Sequence, residues 1–206
     1  MKITVVGGNG GTGAEVVRIA AERGHQVTSL SRTRTPAPRA GVREVVGDAL
    51  NPDRVQDAVA GADAVVVTVG GSSKRDRHRT EVTRSVVAAM QDAGVRRLIV
   101  QSSLGVGDSM ELLPGPARVF AKAALGRALA DHAEQEAAVA ASGLDWTVVR
   151  PGGLTDGPET GSVVVQETAE RRRMKSRISR ADVATYIVEA LGDPATFGRL
   201  LSMGTP

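Results

Sequence analysis

The feature that most constrains this chain is a glycine-rich turn between a short apolar run and a helical pattern. Lys2–Val6 has the β-branched composition of a strand, and the segment after the turn places apolar residues at helical spacing until Gly24. Within the turn, glycines recur at positions 7, 10 and 13, and a second β-branched run follows at Gln26–Ser31. The order strand, turn, helix, strand predicts a βαβ unit, which builds a parallel sheet.

The same alternation continues along the chain. Further strands are predicted at 42–46, 64–69, 98–103, 146–150 and, as an edge strand, 200–203, and the run 162–166 could form another. A long alanine-rich helix is predicted to end near Ser142-Gly143, and Ser179 with Asp182 predicts the start of the last helix. The expected fold class is therefore α/β, a Rossmann-type doubly wound parallel sheet with helices on both faces. We expect a single domain over residues 1–206, with 151–206 completing a substrate pocket, because some 55 loosely patterned residues make a marginal core alone.

The glycine turn has the spacing of a dinucleotide-binding turn. The first glycine allows a tight turn, the second lets the backbone approach a pyrophosphate, and the third lets helix and strand pack closely. The phosphates then meet free N–H groups at the helix N-terminus. The alternative is a glycine-rich turn without a ligand. The predicted cofactor-binding residues of the turn are Gly7, Asn9, Gly10, Gly11, Thr12 and Gly13.

The ends of the next strands indicate which dinucleotide binds. Strand two ends in Ser31-Arg32-Thr33-Arg34 with no acidic residue, and a guanidinium pairs with a phosphate, so Arg32, with Arg34 in support, predicts NADP(H). The alternative is an exposed loop arginine in an arginine-rich chain. Asp48 follows strand three, where it could accept a hydrogen bond from adenine, and Gly70-Gly71 ends strand four beneath the nicotinamide ribose. The remaining predicted contacts at strand ends are Ala49, Val69, Ser102, Ser103 and Pro151.

Composition excludes several classes of function. The 206 residues contain no cysteine, which excludes disulfides and thiolate zinc sites, and we predict no metal site. There are 26 Lys and Arg against 23 Asp and Glu without a basic face bearing aromatics, so nucleic-acid binding is not expected. The chain has no apolar run of membrane-spanning length and no signal-peptide pattern, and it is expected to be cytoplasmic. The basic stretch at 171–177 is either a solvated loop or a partner surface.

These residues resemble the atypical short-chain dehydrogenase/reductases, and within them the biliverdin-IXβ reductase/flavin reductase type. The matching stretches are Gly7 to Gly13, Leu30-Ser31-Arg32, Val46-Gly47-Asp48, Gly61 to Val65, Val87 to Met90, Asp131-His132, Ser142-Gly143-Leu144 and Pro151. The resemblance implies NADPH binding and hydride transfer to flavins or tetrapyrroles, with Gly10, Thr12, Gly13, Arg32, Asp48, Gly70 and Ser103 at the cofactor. It also implies that Ser103 and His132 lie near the reacting end. Gly153 replaces a histidine of the mammalian-type enzyme, which speaks against tetrapyrroles.

The catalytic candidates are few. Typical members of the superfamily use a Tyr-x-x-x-Lys pair as acid, but the single tyrosine, Tyr186, lies at a core-like position of the last helix, and Lys122 has no tyrosine partner. Hydride transfer to an electron-poor ring needs only positioning, since its protons can come from water. The predicted catalytic residues are Ser103, which could hydrogen-bond the nicotinamide amide or an acceptor carbonyl, and His132, which could donate a proton near neutral pH. Alternatively, the serines satisfy backbone groups at a strand end, and His132 faces solvent or caps a helix.

The sequence therefore predicts an NADPH-dependent reductase that transfers hydride to a flavin, quinone or similar small electron acceptor, as a monomer or homodimer. The alternative is a non-catalytic NADP(H)-binding redox sensor or regulatory protein. Epimerisation of a nucleotide sugar is disfavoured, because the chain lacks the expected length and the acid–base pair. With one Trp, one Tyr and two Phe, there is little aromatic surface on which a flavin could stack.

Overall fold

Strands form where β-branched residues run together, and helices form where apolar residues recur at helical spacing. The computed structural model describes residues 1–35, 39–70 and 78–206. Its strands are β1 (Lys2–Val6), β2 (Gln26–Ser31), β3 (Val42–Val46), β4 (Ala64–Val67), β5 (Arg97–Gln101), β6 (Asp145–Pro151), β7 (Gly153–Thr155), β8 (Val164–Gln166), β9 (Arg177–Ser179) and β10 (Arg199–Gly204). Its α-helices are α1 (Gly11–Glu22), α2 (Pro52–Val59), α3 (His78–Asp92), α4 (Gly115–Ala140) and α5 (Arg180–Ala190).

The main sheet has the strand order β3-β2-β1-β4-β5-β6-β10-β8. All neighbouring pairs are parallel except β10 and β8. The order reverses between β1 and β4, and ligands of such sheets bind at the carboxyl ends of the strands beside this point. The predicted α/β fold with a Rossmann-type sheet is confirmed.

The last strand is not at the edge of the sheet. We predicted an edge strand at 200–203, but β10 lies between β6 and the antiparallel β8. That prediction was wrong, because the short segment at 164–166 pairs with β10 only through the tertiary fold. Its pattern therefore did not reveal which segment would form the edge.

Helices cover both faces of the sheet. Ala64 and Val66 of β4 pack in one buried cluster with residues of α1 and α5, whereas Val65 and Val67 pack in another with residues of α2 and α3. Because both faces of this central strand are buried, it is apolar at every position. None of the described helices is both long enough and apolar enough to cross a membrane.

Candidate cofactor and acceptor site

The turn after β1 has a conformation that requires glycine. Gly7 has φ +90° and Gly11 has φ +53°, in the region that favours glycine. A Cβ atom on Gly13 would lie 2.2 Å from the carbonyl oxygen of Gly7 and 2.5 Å from Oγ1 of Thr68. No other residue fits at position 13. Because glycine has no Cβ atom, the first turn of α1 can pack directly against Gly7.

The N-terminus of α1 is open to the cleft. Gly10 precedes the helix without a side-chain cap, and a Cβ atom at Gly10 would meet no atom within 4 Å. Oγ1 of Thr12 is buried and has no hydrogen-bond partner among the described residues. Uncapped amides and an unpartnered hydroxyl at a helix N-terminus are the groups that a diphosphate satisfies. The turn therefore fits the diphosphate of a dinucleotide.

Asn9 connects the turn to the loop after β2. Its backbone N–H donates to Oγ of Ser31 at 3.1 Å, and its side-chain amide donates to the carbonyl oxygen of Thr33. Oγ of Ser29 donates to Oδ1 of Asn9 at 3.2 Å. Asn9, a predicted cofactor contact, lines the cleft, and its side chain bonds the loop that carries Arg32.

The cleft beside the turn has a volume of about 570 Å³. Arg32 lines it with an exposed side chain and forms no ion pair with any residue that the structure describes. Asp48 also lines it, and its Oδ1 accepts a hydrogen bond from the Leu50 N–H at 3.0 Å. Gly71, another predicted contact, lies outside the described residues. The other predicted residues at this cleft are Gly7, Asn9, Gly10, Gly11, Thr12, Ala49, Val69 and Gly70.

A second cavity of about 490 Å³ adjoins the first and is called the acceptor half here. Leu104, Leu113, Phe120 and Leu125 form much of its wall. The predicted residues Ser102, Ser103, His132 and Pro151 also line it. Both cavities share the residues Thr68, Val69, Gly70, Gln101, Leu154 and Arg180, so they form one continuous cleft across the carboxyl ends of β4 and β5.

A buried ion pair lies behind the acceptor half. Arg150 donates from Nε and Nη2 to the carboxylate of Glu136 at 2.9 and 2.7 Å, and from Nη1 to Asp108 at 2.7 Å. Burial opposes ionisation of Asp108, but its bond with Arg150 outweighs this and holds the pKa of Asp108 below its usual value. Ser102 donates its hydroxyl to Glu136 at 2.5 Å. Ser102, a predicted cofactor contact, thus has its hydroxyl proton bound within the protein.

Ser103 and His132 differ in how free they are to act. Ser103 is half-buried, and among the described residues its hydroxyl donates only to the adjacent carbonyl of Leu104, at 3.2 Å. His132 is buried, and burial with the nearby charge of Arg79 lowers its pKa to about 4. The imidazole is therefore neutral at neutral pH. Our expectation of a group that donates a proton while titrating near neutrality, or of a solvent-facing histidine, does not fit this environment.

Gln101 and Arg180 are among the residues of the cleft that sequence reasoning missed. Gln101 ends β5 where the two cavities meet, and its Oε1 is buried without a partner in the described structure. Its place at the carboxyl end of a central strand was the available signal. Arg180 begins α5 and lines both cavities, with Nε 3.5 Å from where a Cβ of Gly11 would be. No local pattern indicated it, because the small parallel sheet of β7 and β9 brings α5 to the cleft.

Comparison with known proteins identifies the family. A family model described as NAD(P)H-binding matches residues 7–194. The chain belongs to the NAD(P)H-binding family. The match of the family model confirms the predicted cofactor at the level of NAD(P)H. The expected resemblance to atypical short-chain dehydrogenase/reductases agrees with the named reductases to which the chain is similar.

Proteins that are similar to this chain differ in their named activities. The solved structure of ChuY, an anaerobillin reductase from Escherichia coli O157:H7, is 28% identical with a TM-score of 0.82, covering 100% of this chain and 98% of that one. A short-chain dehydrogenase/reductase of Veillonella parvula in complex with NADP is 20% identical with a TM-score of 0.86, covering 100% and 94%, and shows the fold. YhfK of Bacillus subtilis (strain 168), named an uncharacterized sugar epimerase, is 26% identical over 98% of this chain and 94% of its own length. The chain spans only 32% and 34% of two other curated relatives.

Proposed function

We propose that this member of the NAD(P)H-binding family is an NADPH-dependent reductase that transfers hydride to a flavin, quinone or similar small acceptor. The observation that carries the proposal is the continuous cleft. One half has the glycine turn that fits a diphosphate, and the other half has an apolar wall. The two halves meet at Gly70 and Gln101, on the carboxyl edge of the sheet.

The loop after β2 supports a preference for NADPH over NADH. Arg32 lies on the wall of the dinucleotide half, and Ser31 and Thr33 beside it are held by Asn9. A guanidinium in this position pairs with a ribose 2′-phosphate, whereas an NAD-preferring site commonly has an acidic residue there. The charge and its fixed loop therefore favour the phosphorylated cofactor.

The cleft is suited to hydride transfer without a protein acid. When bound, reduced nicotinamide supplies a hydrogen nucleus with two electrons to an electron-poor ring, and the accompanying proton can come from water. Tyr186 packs against the buried cluster beneath α1 and α5 and lines neither cavity. Ser103 can hydrogen-bond an acceptor carbonyl. The same lack of a tyrosine at the cleft argues against epimerisation of a sugar, despite the name of the relative YhfK.

We also propose that residues 151–206 complete the acceptor half within a single domain of residues 1–206. Pro151, Gly153, Leu154, Ser176 and Arg180 line that cavity. They come from a region whose strand β10 pairs with β6 of the central sheet. The region is thus built on the same sheet as the glycine turn.

Turnover separates a reductase from a sensor. Purified protein is mixed with NADPH and a panel of free flavins and quinones, and loss of reduced nicotinamide absorbance is followed against protein-free blanks. We expect acceptor-dependent oxidation that saturates with acceptor. Tight NADPH binding in calorimetry, with no turnover across the panel, would reject the reductase and favour the sensor.

A further inference from the structure

A chain of buried side chains fixes the imidazole of His132. Its Nδ1 lies 3.0 Å from Oε1 of Gln135, and Nε2 of Gln135 donates to Oγ1 of Thr83 at 2.9 Å. Gln135 and Thr83 are both fully buried. A carbonyl oxygen only accepts hydrogen bonds, so the nitrogen facing it, Nδ1, carries the hydrogen.

The other ring nitrogen is then a hydrogen-bond acceptor. A neutral imidazole has one N–H and one nitrogen lone pair, so a hydrogen on Nδ1 leaves the lone pair on Nε2. The charges around the ring are Arg79 from α3 and Asp131 and Glu136 from α4. Asp131 accepts hydrogen bonds from Thr80 and Arg79, and Glu136 is paired with Arg150. Their charges are therefore largely compensated, and no free carboxylate among them promotes a second proton.

Nε2 is accessible from the acceptor half. His132 lines that cavity, and Nε2 has no hydrogen-bond partner among the residues described. Nε2 is not one of the fully buried, unpartnered side-chain atoms of the described residues, so part of its surface is exposed. The lone pair is thus available to a ligand beside the apolar wall of Leu104, Leu113 and Phe120.

We infer that His132 is a specificity-determining hydrogen-bond acceptor, which selects acceptors that present a ring N–H at the edge of an apolar conjugated body. The inference rests on the proposed function and names its substrate class. Isoalloxazines, with an imide N–H, fit this requirement. Quinones, which offer only carbonyl oxygens to the site, do not. The role is the reverse of the proton donor that the sequence suggested.

The tautomer is tested directly by NMR. Long-range nitrogen–proton correlation spectra of protein labelled with ¹⁵N-histidine are recorded at neutral pH, and His132 is assigned by loss of its signals in the His132→Asn variant. We expect a protonated Nδ1 and an unprotonated, pyridine-type Nε2. A hydrogen on Nε2, on either the neutral or the doubly protonated ring, would overturn the inference.

Selectivity is tested with two flavins that differ only at the imide nitrogen, which carries a hydrogen in one and a methyl group in the other. Lumiflavin has the imide N–H and 3-methyllumiflavin lacks it, and their binding in the presence of NADP⁺ is measured by fluorescence quenching. One hydrogen bond gives about fivefold tighter binding of lumiflavin. His132→Asn keeps an N–H near the Nδ1 position and has no atom at Nε2, so the ratio should fall to about one. His132→Gln places an amide oxygen near the Nε2 position and should retain the preference.

These measurements do not depend on turnover. Each ratio is internal to one variant, so general weakening of the pocket leaves it unchanged. Equal binding of the two flavins by the wild-type protein, or binding of neither, refutes the role of His132. Lack of NADPH oxidation together with a retained flavin preference and the expected tautomer refutes the reductase but leaves the acceptor role standing.

Discussion

Glu136→Leu should strongly destabilise the fold, because it leaves a buried arginine without its main partner. Glu136 accepts hydrogen bonds from Ser102 at 2.5 Å and from Arg150 at 2.9 and 2.7 Å. The Arg150 side chain is 3% exposed, and its remaining partner, Asp108, is 60% exposed. Removing one partner of a buried pair costs about 3–5 kcal/mol. For a chain of this size that is a fall of about 6–20 °C in Tm.

Equilibrium unfolding in urea, followed by the fluorescence of Trp146, the only tryptophan, measures this loss. The double variant Glu136→Leu/Arg150→Met replaces both charges with apolar groups and should recover at least half of the lost free energy of unfolding. Asp57→Asn is the matched control: its pair with Arg43 is about half exposed, 49% and 51%, so the change should stay below about 1 kcal/mol. A cost below about 1 kcal/mol for Glu136→Leu, or additive single costs in the double variant, would refute the reasoning.

Three further predictions concern the cleft. Arg32→Glu should raise the Kd for NADPH by about 10- to 150-fold in calorimetry and the Kd for NADH far less, because a charge-assisted bond to phosphate contributes about 1.5–3 kcal/mol. Arg34→Glu is the control, since Arg34 does not line the cleft. Equal losses of affinity for both nucleotides would show that Arg32 does not bind the 2′-phosphate. Gly10→Ala should keep its Tm but bind dinucleotide weakly, because its Cβ meets no protein atom but faces the diphosphate site. Gly13→Ala should lose stability and binding together, because its Cβ would overlap the backbone of Gly7. Unimpaired binding by Gly10→Ala would contradict the placement of the diphosphate. Burial lowers the pKa of His132 to about 4. Below about pH 6.5 the unfolded chain therefore binds a proton at this imidazole, whereas the folded protein does not. Up to about 3 kcal/mol of the stability present above pH 6.5 should be lost as the pH falls toward 4. Urea unfolding should show a smaller loss over this range for His132→Asn, and parallel pH profiles would refute the shift.

Much of the cleft was predictable because its signals are local. The glycines at 7 and 13 meet steric limits set by the surrounding backbone, Gly10 leaves the turn open to the cleft, and Arg32 follows strand two directly. Successive strand ends then predicted Asp48, Ala49 and Gly70, which line the cleft. Parallel strands carry their carboxyl ends to one edge, so counting strands was enough to collect these residues.

Other features of the protein depend on distant segments, which the local sequence pattern did not reveal. Ser102 donates to Glu136 and His132 is held by Gln135, although neither partner is marked by the pattern of α4. The position of β10 inside the sheet depends on β8, whose short run is weakly patterned.

By itself, the sequence determined the alternation of strands and helices, the parallel Rossmann-type sheet and the diphosphate turn. Each of these depends on residues that are close together in the sequence, where backbone sterics and side-chain periodicity act directly. The tertiary structure alone decided that Arg180 lies where the two cavities meet, and that His132 is neutral. Burial, charge and hydrogen-bond partners at those positions come from residues far apart along the chain, so they exist only once the segments have packed together.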